Sequence, residues 1–402
     1  MELKSRPTYL KELLNFKDSQ FIKVITGVRR SGKSYLMLLY KQYLKEHGVD
    51  NDQIIYISFE DLCYYKLREM QALYKYLESK IIPKKRMYFL LDEIQLVENW
   101  QEVVNSLRLR ELNDITITGS NAQILSGDLS TRIAGRFIEV KVYPLSFKEY
   151  VDWTLGSQYD ERQLPEAYKE YLRIGGFPAV VLAQKELRDT ILSGIYNTIL
   201  LKDINLRNNI RDSGMVNIIS TYLADTVGQL INPNKIVTTL KSNDPKNRTI
   251  SYQFVSKILK SFEDAYLFYR SDRYDIRGRK LLLSQGKYYM VDQGLRNFVL
   301  GSEQNNRGSE LENVVYMELI RRGYHVEVGK LDNKEINFVV SKNKELKYVQ
   351  VTLKIPENST RETDNLLAVP DNYDKLVISG SVEEYNNIAG IPIINIIDWL
   401  KK

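Results

Sequence analysis

The eight residues Gly27-Val28-Arg29-Arg30-Ser31-Gly32-Lys33-Ser34 constrain this chain more than any other stretch. Two glycines separated by four residues let backbone N–H groups turn inward around a polyphosphate. Lys33 then reaches the terminal phosphates, and Ser34 offers a hydroxyl to Mg2+. The apolar run Phe21 to Thr26 precedes the loop and a helical pattern, Tyr35 to Tyr43, follows it. A loop between strand and helix also receives the positive end of the helix. The binding set expected from this geometry is Gly27, Val28, Arg29, Arg30, Ser31, Gly32, Lys33, Ser34 and Tyr35.

A chain of 402 residues exceeds one ordinary core and predicts two to four domains. Its net charge of +6 permits contact with nucleic acid without demanding it, and ordinary surface lysines are the favoured reading on charge alone. Cys63 is the single cysteine, which rules out an intrachain disulfide, and the opening Met-Glu-Leu-Lys is charged; both lead to the expectation of a cytoplasmic protein. No apolar run approaches the roughly 20 residues of a membrane span. With only His47 and His325, histidine-rich metal sites and most histidine-base hydrolase mechanisms are excluded. Nucleotide chemistry, which uses carboxylates and Mg2+, is not.

The first 150 residues read as an α/β layer. A short amphipathic helix covers Pro7 to Phe16, with Tyr9, Leu10, Leu13 and Leu14 on one face. Strand-like runs follow the loop at Ile54 to Phe59, Met87 to Leu91, Ile115 to Thr118 and Phe137 to Val142, with helical patterns at Leu67 to Lys80 and Trp100 to Leu112. This alternation predicts a parallel sheet covered on both faces. The third strand runs into Asp92-Glu93. Acids at the carboxyl end of a buried parallel strand lie where an open sheet has its site. Asp92 is expected to hold Mg2+ through water and Glu93 to orient and activate the attacking water. A solvated strand end is the plain alternative, disfavoured by the phosphate loop about 60 residues upstream. The fourth strand runs into Thr118-Gly119-Ser120-Asn121, where Ser120 or Asn121 either contacts the γ-phosphate or caps the next short helix. Arg132 and Arg136 either stabilise the transferring phosphoryl group, in their own subunit or a neighbour, or are structural.

Together, Ile25 through Ser34, Leu90-Leu91-Asp92-Glu93-Ile94-Gln95 and Ile117-Thr118-Gly119-Ser120-Asn121 resemble the bacterial and archaeal AAA+ ATPases in which an AAA domain precedes a domain of unknown function. Gly135-Arg136 and Pro144-Leu145-Ser146-Phe147-Lys148-Glu149-Tyr150 match the same family, and the resemblance spans nearly the whole chain. It implies an AAA+ strand order, ATP with Mg2+ as ligands, Ser120 or Asn121 as sensor 1, and Arg136 or Arg132 as arginine finger.

Residues 151–208 are expected to form the helical lid, with Gly175-Gly176-Phe177-Pro178 resembling the family's Gly-Gly-x-Pro element, and with Lys202 and Asp203 exposed on the following helix. Residues 209–302 read as helices and a hairpin. Asn232-Pro233-Asn234 starts one helix, and Ser251 or Thr249 caps another through Phe254, Ile258, Leu259 and Phe262. Strands Tyr266 to Ser271 and Leu281 to Val291 then flank a basic turn, which together resemble a winged helix. Such a domain would set Tyr252, Gln253 and Lys257 in a major groove and Arg277, Arg279 and Lys280 on phosphates. A wing that contacts only protein is the alternative.

Residues 303–402 resemble a restriction-endonuclease-like α/β domain, with a helix at Ser309 to Arg322 and strands at His325 to Gly329, Glu335 to Val340 and Tyr348 to Leu353. Active members use a helical glutamate, an aspartate and a Glu/Gln-x-Lys. The corresponding residues here are Glu312, Asn337 and Gln350-Val351-Thr352. An amide is a poor Mg2+ ligand beside a carboxylate and threonine carries no charge, so the expectation is a nuclease-like fold without nuclease activity.

The leading expectation is an ATPase whose nucleotide state moves the lid and tail, with a nucleic acid or a protein as target. A nucleotide-gated binding protein with little turnover is the alternative, and a phosphotransferase is disfavoured by Asp92-Glu93. No membrane contact is expected. An arginine finger acting between subunits would require an oligomer; one acting within a subunit would not.

Overall fold

The computed structural model describes residues 4–125, 135–156, 158–243, 250–301, 307–355, 361–383 and 385–402. Arg132 and Thr249 lie outside them. The chain divides into two compact units, residues 1–143 with 264–266, and 144–263 with 267–402.

The first unit contains α1 (Pro7–Asn15), β1 (Ile22–Thr26), α2 (Lys33–Glu46), β2 (Ile54–Ser58), α3 (Met70–Lys80), β3 (Met87–Asp92), α4 (Trp100–Arg108), β4 (Asn113–Thr118) and β5 (Phe137–Lys141). The five strands are all parallel, in the order β2-β3-β4-β1-β5. Every residue of β1, β3 and β4 is buried. Strands covered on both faces have no polar side to show, which is why they stand out as apolar runs. Leu73 and Leu77 of α3 and Val103, Val104 and Leu107 of α4 pack in one core with Phe89, Leu91, Ile115 and Ile117. The helical pattern expected from Leu67 begins instead with a 3-10 segment, Leu62–Arg68. Glu69 then restarts the helix, its carboxylate accepting from the Gln71 and Ala72 backbone N–H groups at 3.1 and 3.0 Å. Because β4 lies between β1 and β3, the loop after β1, the acids ending β3 and the polar turn after β4 share one edge.

The second unit begins with α5 (Phe147–Thr154), α6 (Leu164–Ile174), α7 (Pro178–Val181) and α8 (Arg188–Thr198), the last continuing into a π-helical segment, Ile199–Leu206. There Lys202 is exposed, but Asp203 is buried, contrary to expectation. The wider π turn shifts residues off the α-helical period, which sequence periodicity does not register. Then follow α9 (Ser213–Asp225), β6 (Leu230–Ile231), α10 (Pro233–Asn243), α11 (Tyr252–Asp264), β7 (Phe268–Asp275), β8 (Lys280–Met290) and α12 (Gln293–Leu300). The tail comprises α13 (Arg307–Arg321), β9 (His325–Leu331), β10 (Lys334–Lys342), β11 (Glu345–Thr352), α14 (Arg361–Leu367), β12 (Asp374–Ser379), β13 (Asn387–Ile388), β14 (Ile391–Asn395) and α15 (Ile396–Leu400).

The hairpin expected as a wing does not stand apart. Among the described residues, one nine-stranded sheet runs β13-β14-β12-β11-β10-β9-β7-β8-β6. Arg273, Tyr274 and Asp275 pair in parallel with Val328, Gly329 and Lys330. Ile276, at the hairpin tip, is buried with Leu331, Ile336 and Tyr348. The stretches 209–302 and 303–402 therefore share a sheet.

The double glycine also has a packing cause. Gly175 takes φ 75°, and a Cβ there would lie 2.0 Å from Asp292 Oδ1. A Cβ on Gly176 would lie 2.2 Å from the Leu145 carbonyl oxygen. The Asp292 carboxylate accepts from Gly176 N at 2.6 Å and caps α12 through Leu295 N at 2.9 Å. Burial pushes its carboxyl up to about 6, against the pull of those N–H donors. Among the described residues, no helix is long and apolar enough to cross a membrane.

Candidate nucleotide site

The loop after β1 turns through left-handed backbone at Gly27 (φ 133°), Arg30 (φ 67°) and Gly32 (φ 101°). A Cβ on Gly27 would sit 2.1 Å from the Val142 carbonyl oxygen, so this position accepts nothing larger than glycine. Val28 and Ser31 are buried, while Arg30 is exposed. Lys33 is buried, its Nζ donating to the Gly27 and Val28 carbonyls at 3.0 Å each. Arg29 lies 3.6 Å from the Glu60 carboxylate. The Tyr35 hydroxyl accepts from Lys4 N, which turns it towards the amino-terminal segment.

Sequence reasoning missed Arg6. This guanidinium is fully buried, donating to the Ser31 carbonyl at 2.9 Å and the Tyr143 carbonyl at 3.0 Å, and lying over the Tyr9 ring at 4.5 Å. It ties the phosphate loop to the strand end beside it. A lone arginine some twenty residues ahead of a motif carries no signal of this in the sequence.

Asp92 gathers three hydroxyls. Oδ1 accepts from Ser34 Oγ at 3.0 Å and Thr118 Oγ1 at 2.6 Å, and Oδ2 from Ser58 Oγ at 3.4 Å. The structure thus joins the ends of β2, β3 and β4 to the first turn of α2. Glu93 follows in left-handed backbone (φ 55°), unusual for a residue with a side chain, held by its N–H donating to Thr118 Oγ1 at 2.8 Å. The Gln95 amide donates to its carboxylate. Burial pushes the Glu93 carboxyl up, and Asp92 acts in the same sense; Lys33 and Arg29 oppose them.

Ser120 and Asn121 are buried at the end of β4. Among the described residues Ser120 Oγ has no hydrogen-bond partner, so its hydroxyl is not spent on a helix cap. Arg136 is exposed just before β5, whose first residue pairs with Ile22 at the start of β1. That is the edge of the sheet opposite the loop, roughly 16 Å of strand away. Arg136 therefore does not join the site of its own subunit.

Among the described residues, no cluster of three or more His, Cys, Asp or Glu could cage a metal. Ser34 and Asp92 match the sparser protein contribution usual for Mg2+, which is held largely by phosphate and water oxygens. The buried Ser31 and Ser120 hydroxyls, without hydrogen-bond partners among the described residues, fit a polyphosphate.

In the second unit, Glu312, Asn337 and Gln350 do meet. The Asn337 amide donates to Glu312 Oε2 at 3.0 Å, and Asn337 N donates to Gln350 Oε1 at 3.2 Å. Thr352 Oγ1 is turned to the Lys354 carbonyl at 3.0 Å. Tyr252, Gln253 and Lys257 are exposed at the start of α11. Arg277, Arg279 and Lys280 are exposed at the hairpin tip, with Arg277 paired to Asp332 at 2.8 Å.

A family model described as "AAA domain" matches residues 19–151, and one described as "Domain of unknown function" matches residues 165–306. An uncharacterised protein of Haemophilus influenzae is 47% identical over 397 residues, 98% of each chain. The chain belongs to this family of AAA-domain proteins. A more distant relative, an uncharacterised protein of Methanocaldococcus jannaschii, is 34% identical over 85% of this chain and 77% of its own. Among solved structures, a Walker-type ATPase of Pyrococcus abyssi covers 73% of this chain and 95% of its own, with TM-score 0.51 and 16% identity. That likeness concerns the fold, which is of the AAA+ P-loop type.

Proposed function

We propose that this AAA-domain protein hydrolyses ATP at the edge formed by the phosphate loop, Asp92 and Glu93. The observation that carries the reading is the 3.0 Å contact between Ser34 and Asp92, with the buried Glu93 carboxylate next in sequence. Backbone N–H groups of Gly27 to Ser34 receive the β- and γ-phosphates, and Lys33 supplies positive charge to them. Ser34 and Asp92 would hold Mg2+, which would supply positive charge to the phosphates. Glu93 accepts the proton of the attacking water as its oxygen bonds to the γ-phosphorus and the bond to the ADP oxygen breaks. Ser120 or Asn121 senses the γ-phosphate. Arg136, remote from its own loop, serves as an arginine finger only towards a neighbouring subunit, which makes the active form an oligomer.

Turnover then drives or switches contact with a nucleic acid or a protein. The exposed Tyr252, Gln253 and Lys257 and the basic hairpin tip are the surface offered to DNA. The amide at Asn337 and the threonine at 352, where the nuclease pattern has its lysine, support a tail without nuclease activity. A nucleotide titration with and without Mg2+ tests the binding half. Lys33→Ala is expected to lose ATP affinity at least about tenfold, as a charge-assisted contact is removed. Asp92→Asn is expected to bind ATP but lose the enhancement by Mg2+. Unchanged binding in both variants would refute the site.

A further inference from the structure

Four segments of the second unit converge on one carboxylate. Glu312 projects from α13, and its Oε1 accepts from Lys287 Nζ at 2.9 Å and from the Tyr289 hydroxyl at 2.6 Å. Its Oε2 accepts from the Asn337 amide at 3.0 Å. Lys287 and Tyr289 are two apart on β8 and so share a face. Tyr316, one turn after Glu312, stacks on Tyr289 with ring centroids 4.0 Å apart. The Lys287 ammonium also meets Glu335 Oε1 of β10 at 2.7 Å. Above them Gly228, at φ 78°, leaves the room that a side chain would take: its Cβ would lie 3.2 Å from the Glu312 carboxyl carbon.

Lys287 is 2% exposed, so burial works against its charge. The two glutamates more than reverse that, holding the ammonium above the usual lysine range. A divalent ion would need the same oxygens and would stand against an ammonium already lodged among them. Tyr289 and Asn337 also aim hydrogens at Glu312, using lone pairs that a metal would require. The side chain responsible lies 25 residues ahead of Glu312, on a strand that spacing rules for nuclease motifs do not reach.

We propose that Lys287 is a built-in cation filling the tail's carboxylate pocket, so that Glu312 and Glu335 take no divalent metal until the ammonium is removed. This deepens the reading of the tail as catalytically silent. It also gives the pocket a different task, tying β8, α13 and β10 together across the junction of residues 209–302 with 303–402.

The test is thermal unfolding of the full chain carrying Lys287→Met, which keeps the apolar stem and removes the charge. In EDTA it is expected to melt below the wild type, and millimolar Mn2+ is expected to raise its Tm by at least about 3 °C. Adding Glu335→Gln is expected to abolish that rise. No rise in Lys287→Met, or a rise that survives Glu335→Gln, overturns the proposal. Should Lys287→Met fail to fold, electron paramagnetic resonance of Mn2+ decides the matter in a chain that keeps Lys287 and carries Asp92→Asn. Absence of bound Mn2+ is expected; an ion lost on Glu312→Gln overturns the proposal. Mn2+-dependent DNA cutting by the wild type, lost in Glu312→Gln, would overturn the silence of the tail together with the proposal, whereas Mn2+ bound at Glu312 without cutting overturns the proposal alone.

Discussion

Glu93 directly follows a strand whose every residue is buried, and its left-handed backbone turns the chain out of that strand. Burial raises its carboxyl while the Gln95 amide, which donates to the ionised form, lowers it. A general base works only when deprotonated, so the acid limb of kcat/KM, which reports the free protein, is expected above the ordinary glutamate value of 4.5. Removing the amide donor with Gln95→Leu is expected to move that limb to higher pH still. A pH profile of kcat/KM for the two proteins checks both statements, and an unmoved limb would count against Gln95 as a positioning residue. For stability the sign is opposite in consequence: a carboxyl raised on folding contributes most below 4.5, and the contribution is lost as pH rises through the folded value.

At the scale of elements, the first unit's sheet has two edges with different duties. At the far edge, Lys23 of β1 and Asp114 of β4 form an ion pair at 2.8 Å, both fully buried. Lys23→Met leaves Asp114 buried without its partner, and urea unfolding is expected to show a loss of about 3–5 kcal/mol. Nucleotide affinity should be unchanged, because the phosphate loop lies at the other end of the strands. Arg6→Met is expected to affect both quantities. It strips the Ser31 and Tyr143 carbonyls of a charged donor, costing about 2–4 kcal/mol and weakening ATP binding in a calorimetric titration. The contrast between the two variants separates general stability from loop support. The parallel strands were legible because double burial writes itself as unbroken apolar runs, and the site because Gly27 to Ser34 and Asp92-Glu93 are each contiguous. Arg6, Asp203 and Lys287 were not. Each owes its role to a neighbour distant in sequence or to a turn of unusual width, and neither leaves a local pattern. The parallel pairing of β7 with β9 was hidden for the same reason, since a hairpin looks alike whether it ends in solvent or in a larger sheet.

At the scale of the molecule, one unit carries a nucleotide-type edge and the other a sheet in which the hairpin and the tail are continuous. In the tail, Lys287 of the same unit bridges Glu312 and Glu335 at 2.9 and 2.7 Å, and the phosphate-loop edge is the place where chemistry is expected. Whether that edge turns ATP over is the central claim, and phosphate release by the full chain tests it most directly. With Mg2+-ATP the wild type is predicted to release phosphate, to stop when EDTA is added, and to be slowed at least about 100-fold by Glu93→Gln, which keeps its affinity for ATP. Equal phosphate release by the wild type and Glu93→Gln, or none by the wild type at saturating Mg2+-ATP, would contradict the account.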